Sequence, residues 1–184
     1  MLEQIIFAGF GGQGVLLAGQ VIANSGMIEG KEVSWLPSYG PEMRGGTANC
    51  NVVISDSEVA SPVVVNPDSV VAMNRPSMEM FSKLVCPGGL LILNSDLIET
   101  GPEREDIRVL KIPANTLAKQ AGNAKTANMV ILGAYNRYAG VVKNKTIMKV
   151  VSGVFGESKE DLIKMNEKAF KLGADAADKQ ISRF

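Results

Sequence analysis

The sequence contains no histidine and only two cysteines, Cys50 and Cys86. Without histidine, the chain lacks the commonest metal ligand in proteins and the commonest acid–base group at neutral pH. The same absence excludes Ser-His-Asp and Cys-His catalytic arrangements, and no G-x-S-x-G motif is present. The cysteines lie far apart and form no C-x-x-C pair, so the chain alone supplies no ligand set for zinc or an iron–sulfur cluster. We expect two buried thiols.

Excess charge and long apolar runs are also lacking. The 19 basic and 19 acidic residues give a formal net charge of zero, which offers no electrostatic footprint for nucleic acid. No apolar run approaches the roughly 18 residues that span a bilayer. The opening MLEQIIFAGF has neither the basic leader nor the long apolar run of a signal peptide. We therefore expect a cytoplasmic protein without membrane or nucleic-acid contacts, folded as one domain over residues 1–184.

Short apolar runs alternate with helical stretches along the chain. This alternation predicts an α/β fold, a three-layer α/β/α sandwich with a mostly parallel but mixed central sheet. The predicted strands are 4–8, 32–36, 48–54, 69–73, 90–93 and 108–112, of which the second and third are expected to pair antiparallel. The predicted helices are 15–28, 76–84, 116–121, 128–138 and 146–155, followed by a last helix.

The last helix has the clearest pattern. Ser158, followed by Glu160 and Asp161, resembles a capping box and predicts the start of this helix. Apolar and small residues then recur at helical spacing, which predicts one buried stripe with a charged face opposite. The stripe consists of Leu162, Met165, Ala169, Phe170, Gly173 and Ala176.

A glycine-rich loop, GFGGQG, follows the first predicted strand at residues 9–14 and precedes the first predicted helix. Its spacing matches G-x-G-x-x-G, in which glycines let a pyrophosphate approach the backbone at a helix N-terminus. A dinucleotide site also needs a carboxylate after the second strand, where this chain has Pro-Ser-Tyr-Gly at 37–40. The loop is thus a turn without ligand, a dinucleotide site that lacks its acid, or a site for another ligand or protein.

A second motif, SYGPEMRGG, occupies residues 38–46 and is expected at the same edge of the sheet. Arg44 either pairs with Glu42 or offers its guanidinium to a carboxylate or phosphate, and the two following glycines permit close approach. Tyr39 fits either stacking or packing. A third stretch, 125–130, opens an apolar helix, and we expect Thr126 or Asn128 to cap it.

Three segments together resemble one protein family. They are GFGGQGVLLAG at 9–19, SYGPEMRGGTANCNVVIS at 38–55 and KTANMVILGAY at 125–135. In this order they are similar to the gamma subunit, or gamma domain, of 2-oxoacid:ferredoxin oxidoreductases, and the resemblance covers nearly the whole chain. The three motifs most resemble those of the separate gamma subunits of the 2-oxoglutarate type, while the pyruvate and branched-chain types remain open alternatives.

The resemblance implies a role inside a larger enzyme. That family oxidatively decarboxylates a 2-oxoacid, transfers the acyl group to coenzyme A and reduces ferredoxin. It implies that thiamine diphosphate is bound by alpha and beta subunits and that iron–sulfur clusters lie in a small ferredoxin-like delta subunit. This chain would bind none of these cofactors alone and would have no activity in isolation, where its exposed partner surface would let it form a homodimer.

Under this resemblance, the two glycine-rich loops line a subunit interface or the path of coenzyme A, and the chain has no catalytic residue and no metal ligand. The candidate phosphate, coenzyme A or partner contacts are Gly9, Gly11, Gly12, Gln13, Gly14 and Arg44. The candidate interface residues are Ser38, Tyr39, Glu42, Arg44, Gly45 and Gly46. Two alternatives remain: the small subunit of an indolepyruvate:ferredoxin oxidoreductase, and a free-standing nucleotide- or flavin-binding module.

Overall fold

A six-stranded mixed sheet organises the chain. The structure is a computed structural model that describes residues 1–40, 46–156 and 159–182. Its strands are β1 (Leu2–Phe10), β2 (Glu32–Tyr39), β3 (Thr47–Ser55), β4 (Ser69–Ala72), β5 (Leu90–Asn94) and β6 (Arg108–Ile112), in the order β2-β3-β1-β4-β5-β6. β3 is antiparallel to β1 and β2, whereas β4, β5 and β6 continue parallel to β1. The predicted mixed sheet and antiparallel pair are confirmed.

Six α-helices lie within the described residues. They are α1 (Val15–Ile28), α2 (Arg75–Phe81), α3 (Ala114–Ala121), α4 (Ala127–Ala139), α5 (Asn144–Phe155) and α6 (Glu160–Ile181). The predicted bounds of α1 are confirmed. The helix predicted at 76–84 is shorter, since α2 ends at Phe81 and a 3-10 turn, Ser82–Leu84, follows. The predicted capping residue Ser158 lies outside the described residues.

The sheet is covered on both faces, but unequally. Along β1, Ile5 and Phe7 face a large core that contains residues of α1, α3, α4, α5 and α6. Ile6 and Ala8 alternate with them and face a smaller core, to which α2 contributes Met78. This alternation is the period-two pattern of a strand buried on both sides. The predicted three-layer arrangement is confirmed, with most of its helices on one face.

Helices α4 and α6 pack through backbone contact. A Cβ added to Gly133 would lie 2.0 Å from the carbonyl oxygen of Phe170, and one added to Gly173 would lie 1.8 Å from that of Val130. Within the predicted stripe of α6, Ala169, Phe170 and Gly173 are buried. The close crossing explains why glycine stands at this point of the stripe. Among the described helices, none combines the length and the apolar character needed to cross a membrane.

Candidate functional site

All three sequence motifs meet at the carboxyl end of β1. Phe10, the last residue of β1, pairs with Thr47 at the start of β3. The amide of Gly11 donates to the carbonyl oxygen of Gly46 at 2.9 Å, which joins the first motif to the end of the second. Asn128 of the third motif donates from Nδ2 to the carbonyl oxygen of Gly14 at 3.3 Å. Segments more than 100 residues apart in sequence therefore form one structural unit.

This position is a topological switch point of the sheet. From β1 the chain passes through α1 to β2 on one side, whereas from β4 it passes through α2 to β5 on the other. The loops after these two adjacent strands therefore leave in opposite directions and border a crevice. In open α/β sheets, ligands bind in such a crevice outside the carboxyl ends of the strands.

The side chain of Gln13 bridges this crevice. Its Oε1 accepts hydrogen bonds from the amide of Phe10 at 2.7 Å and from Nδ2 of Asn74 at 3.1 Å, and its Nε2 donates to the carbonyl oxygen of Met73 at 3.3 Å. A Cβ added to Gly9 would lie 2.7 Å from the same Oε1. Gln13 thus ties the glycine loop to the end of β4 and occupies the floor of the crevice.

Asn74 extends this connection to α2. Its Oδ1 accepts a hydrogen bond from the amide of Ser77 at 2.9 Å, so Asn74 caps the helix that carries the chain away from β4. Asn74 is 3% exposed. The polar chain from Gln13 through Asn74 to Ser77 therefore fixes the relative positions of the two loops that border the crevice.

Two glycines of the loop adopt backbone conformations that other residues rarely take. Gly12 has φ of 98° and Gly14 has φ of 75°, both in the left-handed region. A Cβ on Gly14 would also lie 2.7 Å from Nδ2 of Asn128. Glycine at position 14 is therefore required twice, by the turn into α1 and by the contact with the third motif.

The backbone amides of the loop are not equally available. The amide of Gly11 donates to the carbonyl oxygen of Gly46, and the amide of Gln13 donates to the carbonyl oxygen of Phe10 at 3.0 Å. Within the described part of the chain, no acceptor bonds the amides of Gly12 and Gly14. These two amides stand directly before the N-terminus of α1, whose helix dipole favours an anion. Among the predicted contacts, Gly12 and Gly14 are thus the amides left for an anionic group.

Most of the second motif lies outside the described residues. This applies to Glu42, Arg44 and Gly45, whose predicted roles remain predictions. Ser38 is exposed near the end of β2, Tyr39 ends that strand, and Gly46 contacts the glycine loop as described above. The motif does connect β2 to β3 at the edge of the sheet where the glycine loop lies.

Thr126 stands at the N-cap position of α4, one of the two predicted, but its side chain makes no capping hydrogen bond. The hydroxyl of Thr126 donates to the carbonyl oxygen of Asn123 at 2.8 Å. The side-chain amide of Asn128 donates to the carbonyl oxygen of Gly14. Asn123 instead accepts from the amide of Lys125 at 2.9 Å and caps the 3-10 turn that leads into α4. Asn128 is therefore a contact between motifs rather than a helix cap.

A polar cluster at the opposite edge of the sheet was not predicted. Glu3 of β1 accepts hydrogen bonds from the hydroxyls of Ser69 at 2.7 Å and Tyr135 at 3.3 Å. Burial raises the pKa of Glu3, and burial beside Glu3 raises the pKa of Tyr135. Next to this group, Asp68 accepts from the amide of Gln4 at 2.8 Å. The available sequence signal was an acid two residues before the apolar run of β1, which starts at Ile5.

The two cysteines differ in burial. Cys50 is fully buried, burial raises the pKa of its thiol to about 12, and its Sγ lies 3.7 Å from the carbonyl oxygen of Val15. Cys86 is only half-buried, so the prediction of two buried thiols is wrong for Cys86. Cys50 and Cys86 are both free thiols rather than a disulfide. Among residues 1–40, 46–156 and 159–182, no three His, Cys, Asp or Glu side chains are grouped as metal ligands.

Comparison with known proteins identifies the family. Residues 4–176 match the family model of pyruvate ferredoxin/flavodoxin oxidoreductase. The chain is 36% identical to ketoisovalerate oxidoreductase subunit VorA of Methanothermobacter marburgensis, covering 97% of this chain and 37% of that protein. It is 32% identical to 2-oxoglutarate synthase subunit KorC of Methanocaldococcus jannaschii, covering 96% and 95%. The chain thus spans little more than a third of VorA but nearly all of KorC.

Solved structures give the same result. The gamma subunit of keto/oxoacid ferredoxin oxidoreductase from Geobacter sulfurreducens has a TM-score of 0.82 and 31% identity, with 96% of this chain and 99% of that chain covered. The 2-oxoglutarate:ferredoxin oxidoreductase from Magnetococcus marinus has a TM-score of 0.88 and 26% identity, with 97% and 31% covered. The chain belongs to the pyruvate ferredoxin/flavodoxin oxidoreductase family and is similar over nearly its whole length to a gamma subunit of a keto/oxoacid ferredoxin oxidoreductase.

Proposed function

We propose that this chain works as the gamma subunit of an assembled 2-oxoacid:ferredoxin oxidoreductase. In that role it carries no catalytic residue and presents its glycine loop to the path of coenzyme A. The observation that carries the proposal is the meeting of all three family motifs at the switch point of the sheet. The loop is joined to distant segments at the end of the sheet where ligands bind in such folds. This arrangement favours a binding surface over a turn that binds nothing.

Coenzyme A is the ligand that best suits this edge. The related Magnetococcus marinus enzyme was solved with 2-oxoglutarate, coenzyme A and succinyl-CoA bound. Coenzyme A carries phosphates, and the amides of Gly12 and Gly14 at the start of α1 offer uncharged donors with a favourable dipole. Arg44 would add a charged donor that binds phosphate in a fork.

The remaining cofactors are assigned to partner subunits. With only two cysteines, Cys50 and Cys86, this chain cannot supply the four thiolates that hold an iron–sulfur cluster. We assign thiamine diphosphate to alpha and beta subunits and the clusters to a ferredoxin-like delta subunit, which pass electrons to ferredoxin. We also propose that the chain is a single domain and that the enzyme is cytoplasmic.

The substrate is a 2-oxoacid, for which we propose 2-oxoglutarate. The full-length match to KorC, with 95% of that protein covered, supports this choice. The competing choice is ketoisovalerate, because VorA is 36% identical to this chain against 32% for KorC. This chain discriminates poorly between them, because the site of decarboxylation is assigned to its partners.

Purification of the tagged chain from its own cells, under anaerobic conditions, tests the assignment. We expect thiamine diphosphate subunits and a small cluster-bearing subunit to co-purify. A dye-reduction assay with 2-oxoglutarate, ketoisovalerate, pyruvate and indolepyruvate then identifies the substrate. Recovery of one large partner with indolepyruvate activity would support the small subunit of that enzyme instead. A chain recovered alone with a nucleotide or flavin would overturn the proposal.

The role of Arg44 needs a separate test in the assembled enzyme. We expect Arg44→Ala to lower activity by raising the KM for coenzyme A, while the KM for the 2-oxoacid stays unchanged. Lys168→Ala serves as the control, because Lys168 is an exposed cation on α6. Normal turnover by assembled Arg44→Ala would remove Arg44 from the proposed site.

A further inference from the structure

Large apolar side chains are exposed where α1 ends beside α5. Met27 and Ile28, in the last turn of α1, are 63% and 53% exposed, and Val154 of α5 is 45% exposed. Together with Val150 they line a groove of about 430 Å³. A second depression shares Ile28 and continues along α5 towards α6. Contiguous exposed apolar surface of this kind marks an interaction site more often than scattered single residues do.

Core packing does not account for these side chains. The face of α1 that meets the sheet is formed by other residues, including Val21, Ile22 and Gly26, which are buried. Likewise, α5 contributes Ile147 and Val151 to the core, and both are fully buried. Met27, Ile28 and Val154 therefore add apolar surface outside the part of each helix that stabilises the fold.

The groove carries a positive rim. The exposed Lys149 lines both the groove and the second depression, the exposed Lys145 lines the second depression, and Glu167 is the acid at the α6 end of that depression. Neither lysine takes part in the ion pairs found among the described residues. A second copy of this chain would place lysines against lysines, which is unfavourable. A partner with apolar side chains flanked by carboxylates would complement the surface.

The relatives of this chain differ in length. Matching regions cover only 37% of VorA and 31% of the Magnetococcus marinus chain, but 95% of KorC and 99% of the Geobacter sulfurreducens gamma subunit. In the longer chains, the counterpart of this protein is attached covalently to the remainder. Under the proposed function, in which this chain is a separate gamma subunit, it must be held by contacts alone, and stable interfaces combine an apolar centre with a polar rim.

We propose that the groove of α1 and α5 binds an apolar segment with flanking carboxylates on the thiamine diphosphate-binding partner subunit. This rests on the proposed function. Met27, Ile28 and Val154 form the apolar centre of the contact, and Lys145 and Lys149 pair with the carboxylates. The contact lies away from the glycine loop, so it holds the subunit in place while leaving the carboxyl edge of the sheet available.

The apolar centre is tested with a matched pair of methionines. Met27 and Met80 are 63% and 60% exposed, but Met80 lies on α2, on the other face of the sheet. The probe is the thiamine diphosphate subunit that co-purifies with the wild-type chain, prepared separately. We expect Met27→Asp to weaken its affinity at least about tenfold, the loss typical of an interface residue that matters, whereas Met80→Asp leaves it unchanged.

The charged rim is tested by reversal of two lysines. We expect Lys145→Glu with Lys149→Glu to weaken binding and to reverse its dependence on salt concentration, because attraction to the carboxylates would become repulsion that salt screens. Lys168→Glu with Lys171→Glu, on the exposed face of α6, is the control and should change neither quantity. Equal circular dichroism and unfolding temperatures of all variants confirm that folding is not the cause.

The outcomes separate the two proposals. If the wild-type chain binds no thiamine diphosphate subunit, the proposed function fails. If the wild-type chain binds and Met27→Asp binds equally well, the groove is not the contact, although the proposed function stands. If Met27→Asp instead dissolves a homodimer and leaves the partner's affinity unchanged, the occupant is a second copy, and the assignment to the partner subunit is wrong.

Discussion

The two ends of the central strands hold opposite kinds of chemistry. We call the end where β1 and β4 finish the carboxyl edge of the sheet, and the end where they begin the amino edge. At the carboxyl edge, Gln13, Asn74 and Asn128 bind backbone atoms and one another through uncharged amides. At the amino edge, Glu3 and Asp68 lie close together beside Tyr135, and burial raises the pKa of Glu3. Perturbed titratable groups often mark functional sites, which would direct attention to the amino edge. The family motifs and the switch point of the sheet lie at the carboxyl edge.

This difference shows that hydrogen-bonding groups without a partner indicate a binding site better than a shifted pKa does. Glu3 is already bonded to Ser69 and Tyr135 in the chain, and Asp68 to Gln4. At the carboxyl edge, by contrast, the amides of Gly12 and Gly14 have no acceptor among the described residues. We therefore interpret the amino edge as a stabilising cluster and the carboxyl edge as the binding edge.

The largest effect is expected at the carboxyl edge, from Gly9→Ala. The new Cβ would lie 2.7 Å from Oε1 of Gln13, 2.9 Å from Cγ1 of Val15 and 3.0 Å from Cβ of Met73. We expect a loss of about 2–3 kcal/mol in the free energy of unfolding, typical of an overpacked core, together with a higher KM for coenzyme A in the assembled enzyme. Denaturant unfolding and steady-state kinetics measure the two quantities.

Gly153→Ala is the control for that substitution. Gly153 lies inside α5, where a Cβ meets no atom within 4 Å. We expect this variant to be more stable than the wild type by about 0.5–1 kcal/mol, because alanine favours the helix. A Gly9→Ala variant of wild-type stability would show that Gln13 does not fill the crevice as described.

The next effect is expected at the amino edge, from Tyr135→Phe. This change removes the hydroxyl that donates to Glu3 but keeps the buried ring that packs on Phe7. We expect a loss of about 1 kcal/mol in unfolding free energy, as for a single buried hydrogen bond, with no change in the KM for coenzyme A. Thermal unfolding and kinetics of the assembled enzyme test both parts. A changed KM would contradict the separation of the two edges.

A pH dependence of stability sharpens the same comparison. Burial holds the pKa of Glu3 above its ordinary value of 4.5. At pH values between 4.5 and the raised pKa, the folded state therefore binds more protons than the unfolded state. Stability should therefore fall as pH rises from 4.5 through the raised pKa. In Glu3→Gln, which keeps an oxygen acceptor, the fall should be smaller. Denaturant unfolding at several pH values measures it, and identical profiles would show that Glu3 does not titrate in this window.

The smallest effect is expected for Asp56→Asn, also at the amino edge. Hydrogen bonds from the N-terminal ammonium and Lys31 lower the pKa of Asp56 to about 2. The contribution of this exposed carboxylate should be present above its ordinary pKa of 3.8, be lost as pH falls through 2, and vanish in about 1 M salt. Unfolding midpoints of both proteins, with and without salt, give the comparison. A difference that persists in high salt would indicate a role beyond charge pairing.

Local patterns predicted the elements of the fold, but they did not predict the contacts between them. The bounds of α1 and β6 follow from apolar spacing and flanking turns, and both are confirmed. The contact of Asn128 with Gly14 joins residues 114 positions apart, so no local pattern shows it. The close approach of Gly133 and Gly173 to facing backbone was hidden for the same reason, since each glycine alone is ordinary in sequence.

The glycine loop shows the same limit within a short motif. The family resemblance implied that Gln13 contributes to ligand contact, and the structure adds that its side chain bonds Phe10, Met73 and Asn74. Two of these partners lie 60 and 61 residues away and reach the loop only because β4 pairs with β1. The ligand role of the loop remains a prediction, now centred on the amides of Gly12 and Gly14.

Amide hydrogen exchange of the assembled enzyme, with and without coenzyme A, tests the central claim most directly. We expect coenzyme A to slow exchange in residues 12–17, at the glycine loop and the first turn of α1. Exchange at the amino edge, around residues 1–4 and 86–90, should stay unchanged. Protection at the amino edge, or no protection of the glycine loop in an enzyme saturated with coenzyme A, would contradict the account.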